Sequence, residues 1–211
     1  PGPPSRPRPW GSRESIGLAS AFAAFFFLSG IALPYWPTWL AAAGMSPREI
    51  GVLLGVGMWA RLLAPQVGAW ADRSGRSREL VWAAAALGLA CYVAFDLVRG
   101  FVPLLVVSLA LGCAHAPVVP LLDGMALQAS AAARMDYGRV RSWGSIAFIA
   151  AAVLGGGWLE HRTPASVLTV LQLAAVAVLL ATCLLRPGSH RSGGTTVPLR
   201  TVLRQPGLPT L

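Results

Sequence analysis

Residues 15–47 read SIGLASAFAAFFFLSGIALPYWPTWLAAAGMSP, a run without one charged side chain between Glu14 and Arg48. A helix needs roughly 20 apolar residues to cross the hydrocarbon core of a bilayer, so this run predicts a first membrane span over 16–40. It is too long for the apolar region of a signal peptide, and further spans follow it. The same signal predicts spans over 49–70, 80–98, 101–127, 141–159 and 164–185. Each is hydrophobic all round instead of along one stripe, which in a chain this short makes lipid the surrounding solvent. Composition agrees: of 211 residues 55% are apolar and 12% charged, about half the charged share of an ordinary soluble domain. A soluble enzyme is excluded on that ground.

The net charge of +9 comes from seventeen bases, all of them arginine. Their positions report topology. Arg6, Arg8 and Arg13 precede the first span, Arg73, Arg76 and Arg78 follow the second, Arg134, Arg139 and Arg141 surround the start of the fifth, and Arg186, Arg191, Arg200 and Arg204 follow the sixth. These thirteen fall on one side of the membrane, against Arg48, Arg99 and Arg162 on the other, so the positive-inside bias predicts both termini in the cytoplasm and no nucleic-acid partner. Cys91, Cys113 and Cys183 lie in apolar stretches without CxxC spacing, which predicts buried inert thiols and neither metal nor cofactor.

Three segments follow. Residues 1–15 form a Pro/Arg-rich cytoplasmic N-terminus expected to be disordered, 16–186 a six-helix bundle, and 187–211 the start of a cytoplasmic loop of linker composition leading to a missing second half. Splitting the spans three plus three puts Pro34 and Pro37 late in the first and Pro117 and Pro120 late in the fourth. A P-x-x-P at matching positions of oppositely running spans is what an inverted repeat produces, and paired proline-interrupted helices point toward a transport site.

Arg61 sits near the middle of the second span, where an arginine costs about 2.5 to 3.5 kcal/mol on insertion scales unless it faces water or a partner. It is either one member of a buried ion pair with Asp123 or the fork that binds an anionic substrate, with Asp123 as proton carrier. Tyr35, Trp36 and Trp39 cluster at the far end of the first span, as interfacial anchors or, on the sharper reading, a stacking wall for a solute. His115 reads as a proton relay or as an imidazole bonded to a nearby carbonyl. The run 155–157 of three glycines reads as close helix packing.

The segment after the second span reads Gly68, Ala69, Trp70, Ala71, Asp72, Arg73, Ser74, Gly75, Arg76. It resembles the G-x-x-x-D-R-x-G-R loop of the major facilitator superfamily, at the matching place between spans two and three. The stretches LPYWPTWL (33–40), EIGVLLGVGMWAR (49–61), PLLDG (120–124) and DYGRVRSWGSIAF (136–148) are similar to the phenylpropionate permease branch and its nucleoside:proton symporter relatives. The resemblance spans about 17–186. It implies an all-α membrane fold, six spans forming the N-terminal half of a twelve-span transporter with a 3+3 inverted repeat. It further implies proton-coupled movement of a small organic solute such as an aromatic acid across the bacterial inner membrane. Arg61 and Asp123 fall on charged positions of the matching stretches. Gly68, Asp72, Arg73, Gly75 and Arg76 become a gating loop, pairing with Arg139 or Arg141 near the fifth span.

Two other classes compete. An intramembrane hydrolase needs a nucleophile and base, and Ser145 in WGSIA is a poor nucleophile with no histidine placed beside it. A non-transporting six-span scaffold would share every feature above except the charged residues' role.

Overall fold

The computed structural model describes residues 13–60, 62, 66–67, 71, 74–132, 135–159 and 161–185. Among these, regular structure is entirely helical: α1 (Arg13–Ala42), α2 (Pro47–Ala60), α3 (Ser77–Leu97), α4 (Phe101–His115), α5 (Val118–Ala131), α6 (Tyr137–Leu159) and α7 (Ala165–Cys183). Five stretches are long and apolar enough to cross a membrane: α1, α3, α4 with α5, α6 and α7. The expected second span is described as a helix only over Pro47–Ala60. Of the terminal segments, residues 1–12 and 187–211 lie outside the described residues, while 13–15, expected within the disordered N-terminus, already belong to α1.

The first hairpin shows how local sequence sets these ends. Gly44 takes φ of 86°, its N–H bonds to the Ala41 carbonyl, and the Met45 N–H reaches back to Leu40. This pair of bonds satisfies carbonyls that the end of α1 would leave orphaned, and only glycine enters that backbone region without strain. Two residues later Ser46 starts α2. Its N–H and hydroxyl both donate to the Glu49 carboxylate, at 2.8 and 2.7 Å, while Pro47 occupies the first helical position, where a missing N–H costs nothing.

α1 runs through Pro34 and Pro37 without interruption. The fourth span, expected over 101–127 with a proline interruption, is two helices that meet at Ala116 and Pro117, both helical in backbone angle, and it extends to Ala131 as one membrane-length stretch. Pro117 and Pro120 carry no N–H, so the carbonyls of Cys113 and Ala116 lose their donors at closely spaced points. Identical P-x-x-P spacing thus accompanies two outcomes. Tyr35 of α1 donates to the Ala152 carbonyl of α6 at 2.6 Å.

α1 is the hub, packing most extensively on α6 and then on α7; α7 packs on α3, and α4 on both α2 and α3. The seams are made of small residues. A Cβ on Gly30 would lie 2.5 Å from the Phe148 carbonyl oxygen, one on Gly17 2.6 Å from that of Leu184, and one on Gly112 2.9 Å from the Gly57 Cα. Where lipid is as apolar as leucine, such close backbone approach is what holds helices together. Opposite these seams the surface is apolar: Ile149, Val153 and Leu154 on α6, and Met58 and Trp59 on α2, are all exposed. A surface of that kind suits an integral membrane protein.

Candidate functional site

Asp123, in the second turn of α5, stands against the start of α6. There Tyr137 donates its hydroxyl to Asp123 Oδ1 at 3.0 Å. Arg141, one turn along α6, sets its Nε 3.6 Å from the same oxygen, with the two side chains 29% and 30% exposed. The guanidinium also lies over the Phe26 ring, 4.3 Å from its centroid, with Phe22 at 5.4 Å. Gly144 makes room, since a Cβ there would sit 3.0 Å from Phe26 and 3.2 Å from Arg141 Nη1. The result is a carboxylate, a phenol and a guanidinium against two aromatic faces of α1.

This geometry holds charge without locking it. A bidentate arginine–carboxylate fork closes at about 2.7 to 2.9 Å, whereas this pair is looser, and roughly a third of each side chain remains accessible. Such a pair can exchange partners with a solute carboxylate, a hydroxyl or a proton. The sequence placed Asp123 with Arg61 and Arg141 with the gating loop; Arg61, Gly68, Asp72 and Arg73 lie outside the described residues, and the described cationic partner of Asp123 is Arg141. Tyr137, the third member, was missed, although its spacing of four from Arg141 puts both on one helix face.

Of the remaining loop residues, Gly75 turns the chain at φ of 67°, its N–H bonding to the Ala71 carbonyl. Arg76 pairs with Glu79 at 2.8 Å on an exposed surface, a contact worth little in itself. Arg139 starts α6, its N–H bonding to the Asp136 carboxylate.

Trp36 and Trp39 are each 8% exposed and stack in parallel with centroids 4.6 Å apart. Trp36 meets Phe95 of α3 edge-on at 4.8 Å. Both rings are buried between α1 and α3. Tyr35 packs on the glycine run: a Cβ on Gly155 would strike Ile31 at 2.6 Å and one on Gly156 the Tyr35 hydroxyl at 2.7 Å, while Gly157 faces open space. Cys91 is buried, Cys113 partly so, and Cys183 exposed, which corrects the expectation that all three are buried. Asp96 and Gln172, also unforeseen, join α3 to α7, the amide nitrogen donating to the Asp96 carboxylate and to the Tyr92 carbonyl.

The model of the MFS_1 like family matches residues 16–196. The chain is 34% identical over 183 residues to a "Probable 3-phenylpropionic acid transporter" of Escherichia coli (strain K12), covering 84% of this chain and 47% of that protein. It is 32% identical over 175 residues to a "Maltose permease" of Geobacillus stearothermophilus, covering 81% and 44%. A "Raffinose permease" of Escherichia coli is 24% identical over 182 residues, covering 81% and 42%. The chain therefore spans about half the length of the curated relatives it matches. No solved structure matches it.

Proposed function

The chain belongs to the MFS_1 like family, within the major facilitator superfamily, and on that premise we propose that it is the N-terminal half of a secondary permease moving a small organic solute, an aromatic acid, together with protons. The observation that carries the reading is the Asp123–Arg141–Tyr137 cluster. An ion pair of two incompletely buried side chains inside an apolar bundle is costly as structure, since apolar replacements would hold the helices as well. As a transport site the same looseness is useful. A solute carboxylate competes for the Arg141 guanidinium, and a proton on Asp123 releases that guanidinium to receive it. The substrate class rests on the relative named for 3-phenylpropionic acid, with Phe22 and Phe26 supplying a ring-compatible wall. Arg61 remains the second candidate anion site in this proposal, and the loop of Asp72 and Arg73 its gate.

The 3+3 inverted repeat has support in the packing. Exchanging span one with four, two with five and three with six turns the α1–α6 contact into that of α4 with α2, turns α1–α7 into α4–α3, and returns α3–α7 to itself. The observed helix pairs are thus closed under the exchange, as two repeats related by a pseudo-two-fold axis require. Six spans with both termini cytoplasmic, and a second half covering the bundle, complete the proposal; the bacterial inner membrane is its setting.

The test is uptake by the intact protein in vesicles, with 3-phenylpropionate and its neutral amide compared and proton movement followed in parallel. The acid should be preferred at least tenfold and carry protons with it. Arg61→Lys and Arg141→Lys, which keep the charge but lose the fork, should weaken acid uptake at unchanged abundance. Equal uptake of acid and amide overturns the substrate assignment, and solute movement without protons overturns the coupling.

A further inference from the structure

The residue directly before the break in span four is His115. Its ring stands edge-on to Phe25 of α1, centroids 5.3 Å apart, and tilted against Tyr92 of α3 at 5.9 Å. It fits there because α3 carries glycine opposite: a Cβ on Gly88 would lie 2.9 Å from Nε2. A small cavity opens beside the ring, walled by Leu28, Leu89, Val118, Ala175 and Val178. Among the described residues no hydrogen bond to either ring nitrogen is made.

That seat accepts a neutral imidazole and rejects a charged one. An imidazolium has two N–H donors and a full charge to satisfy, and the apolar wall of this partly buried seat offers no acceptor. The groups packed around it do not compensate. α1 presents Phe25 and Leu28, α5 Val118, and α7 Ala175 and Val178, none titratable. α3 presents Tyr92 and carries Cys91 beside it, and α4 itself carries Cys113; none is a carboxylate that could pair with an imidazolium. The junction beside it is short of backbone bonds already, because the carbonyls of Cys113 and Ala116 have lost their helical donors to Pro117 and Pro120.

We propose that His115 is a proton-binding site whose occupancy lifts the ring from its seat on Gly88 and loosens the junction of α4 with α5. The device operates on span four itself, so it holds whichever solute is moved and whether or not protons drive the movement. Because Asp123 follows two turns beyond the break, loosening the junction changes how that carboxylate is presented to Arg141.

The native thiols report on this. Cys113 lies two residues before His115, while exposed Cys183 at the end of α7 serves as an internal reference. In membranes bearing the intact protein, labelling by a membrane-permeant maleimide is read for each peptide by mass spectrometry between pH 8 and 5. The Cys113:Cys183 ratio should rise at least threefold more in the wild type, as pH falls, than in His115→Gln, where only thiol ionisation remains. His115→Phe, which fills the same seat, replaces that variant should it fail to accumulate. Gly88→Ala, by occupying the seat, should raise the ratio already at pH 8 and flatten its pH dependence. An equal pH slope with and without His115, or a wild-type ratio at pH 8 in Gly88→Ala, overturns the proposal.

Discussion

The end of α1 and the α5–α6 corner use similar residues to opposite effect. At Tyr35 the phenol donates to the backbone of α6 at 2.6 Å and its ring fills the space over Gly155, while Trp36 and Trp39 close on each other and on Phe95. At Tyr137 the phenol donates to Asp123, whose other partner, Arg141, is 3.6 Å away and accessible. Polar groups satisfied by backbone are committed to the fold, because the backbone cannot leave. Side chains satisfied only by other side chains, with solvent or solute in reach, can change partners. Under the proposed function, that difference separates scaffold from machinery in a molecule whose residues are 55% apolar.

The largest effect that tests the comparison is on transport. Asp123→Asn keeps the shape and the acceptor for Tyr137 while removing the charge that holds Arg141 and the group that can take a proton. We expect uptake by the intact protein to fall about a hundredfold, on the order of 3 kcal/mol in the barrier, with abundance within twofold. Breaking a fully buried pair costs folding about as much, but partial exposure of both side chains lets water solvate the abandoned guanidinium. Uptake retained within threefold would make the pair structural and erase the contrast.

Next in size is a change on the scaffold side. Gly30→Val drives a side chain into the Phe148 carbonyl oxygen and the Ala151 methyl, which would lie 2.5 and 2.9 Å from its Cβ. Neither is the free end of a flexible chain, so the whole α1–α6 seam must separate. Overpacking costs about 1 to 3 kcal/mol, and we expect folded, detergent-stable protein to drop about tenfold by size-exclusion chromatography, with uptake per folded molecule unchanged. A well-folded variant with impaired uptake would place the seam in the transport cycle.

Sequence and structure agree most where one property repeats over many residues. The charge-free run 15–47 and its successors announced membrane helices, because hydrophobicity summed over twenty positions outweighs any local detail. The capping signal Ser46-Pro47-Arg48-Glu49 was equally legible, though the span was first drawn from Glu49 instead. What could not be read was pairing. Asp123 is equally compatible with Arg61 and Arg141 until the position of α5 against α6 is known. Trp36 and Trp39 were open for a related reason: aromatic residues near a span's end suit the membrane interface and a helix seam alike, and their packing on Phe95 of α3 is visible only in the structure.

The smallest expected effect is the sharpest test, because it asks for a change in stability with none in function. Tyr35→Phe removes one hydrogen bond, to the carbonyl of Ala152. That carbonyl lies inside α6, which runs on to Leu159, so it keeps its helical donor four residues later and is not left unsatisfied. The cost is therefore near the low end for a buried bond, about 0.5 to 1 kcal/mol. For a chain of this size that amounts to a fall of about 1 to 4 °C in apparent melting temperature in mild detergent. The ring still covers Gly155, so helix packing survives, and uptake per folded molecule should match the wild type for every solute tested. A tenfold loss of uptake at normal stability would mean that the Tyr35 hydroxyl leaves Ala152 to meet the solute, and the far end of α1 would then belong with Tyr137 and Asp123 on the working side of the comparison.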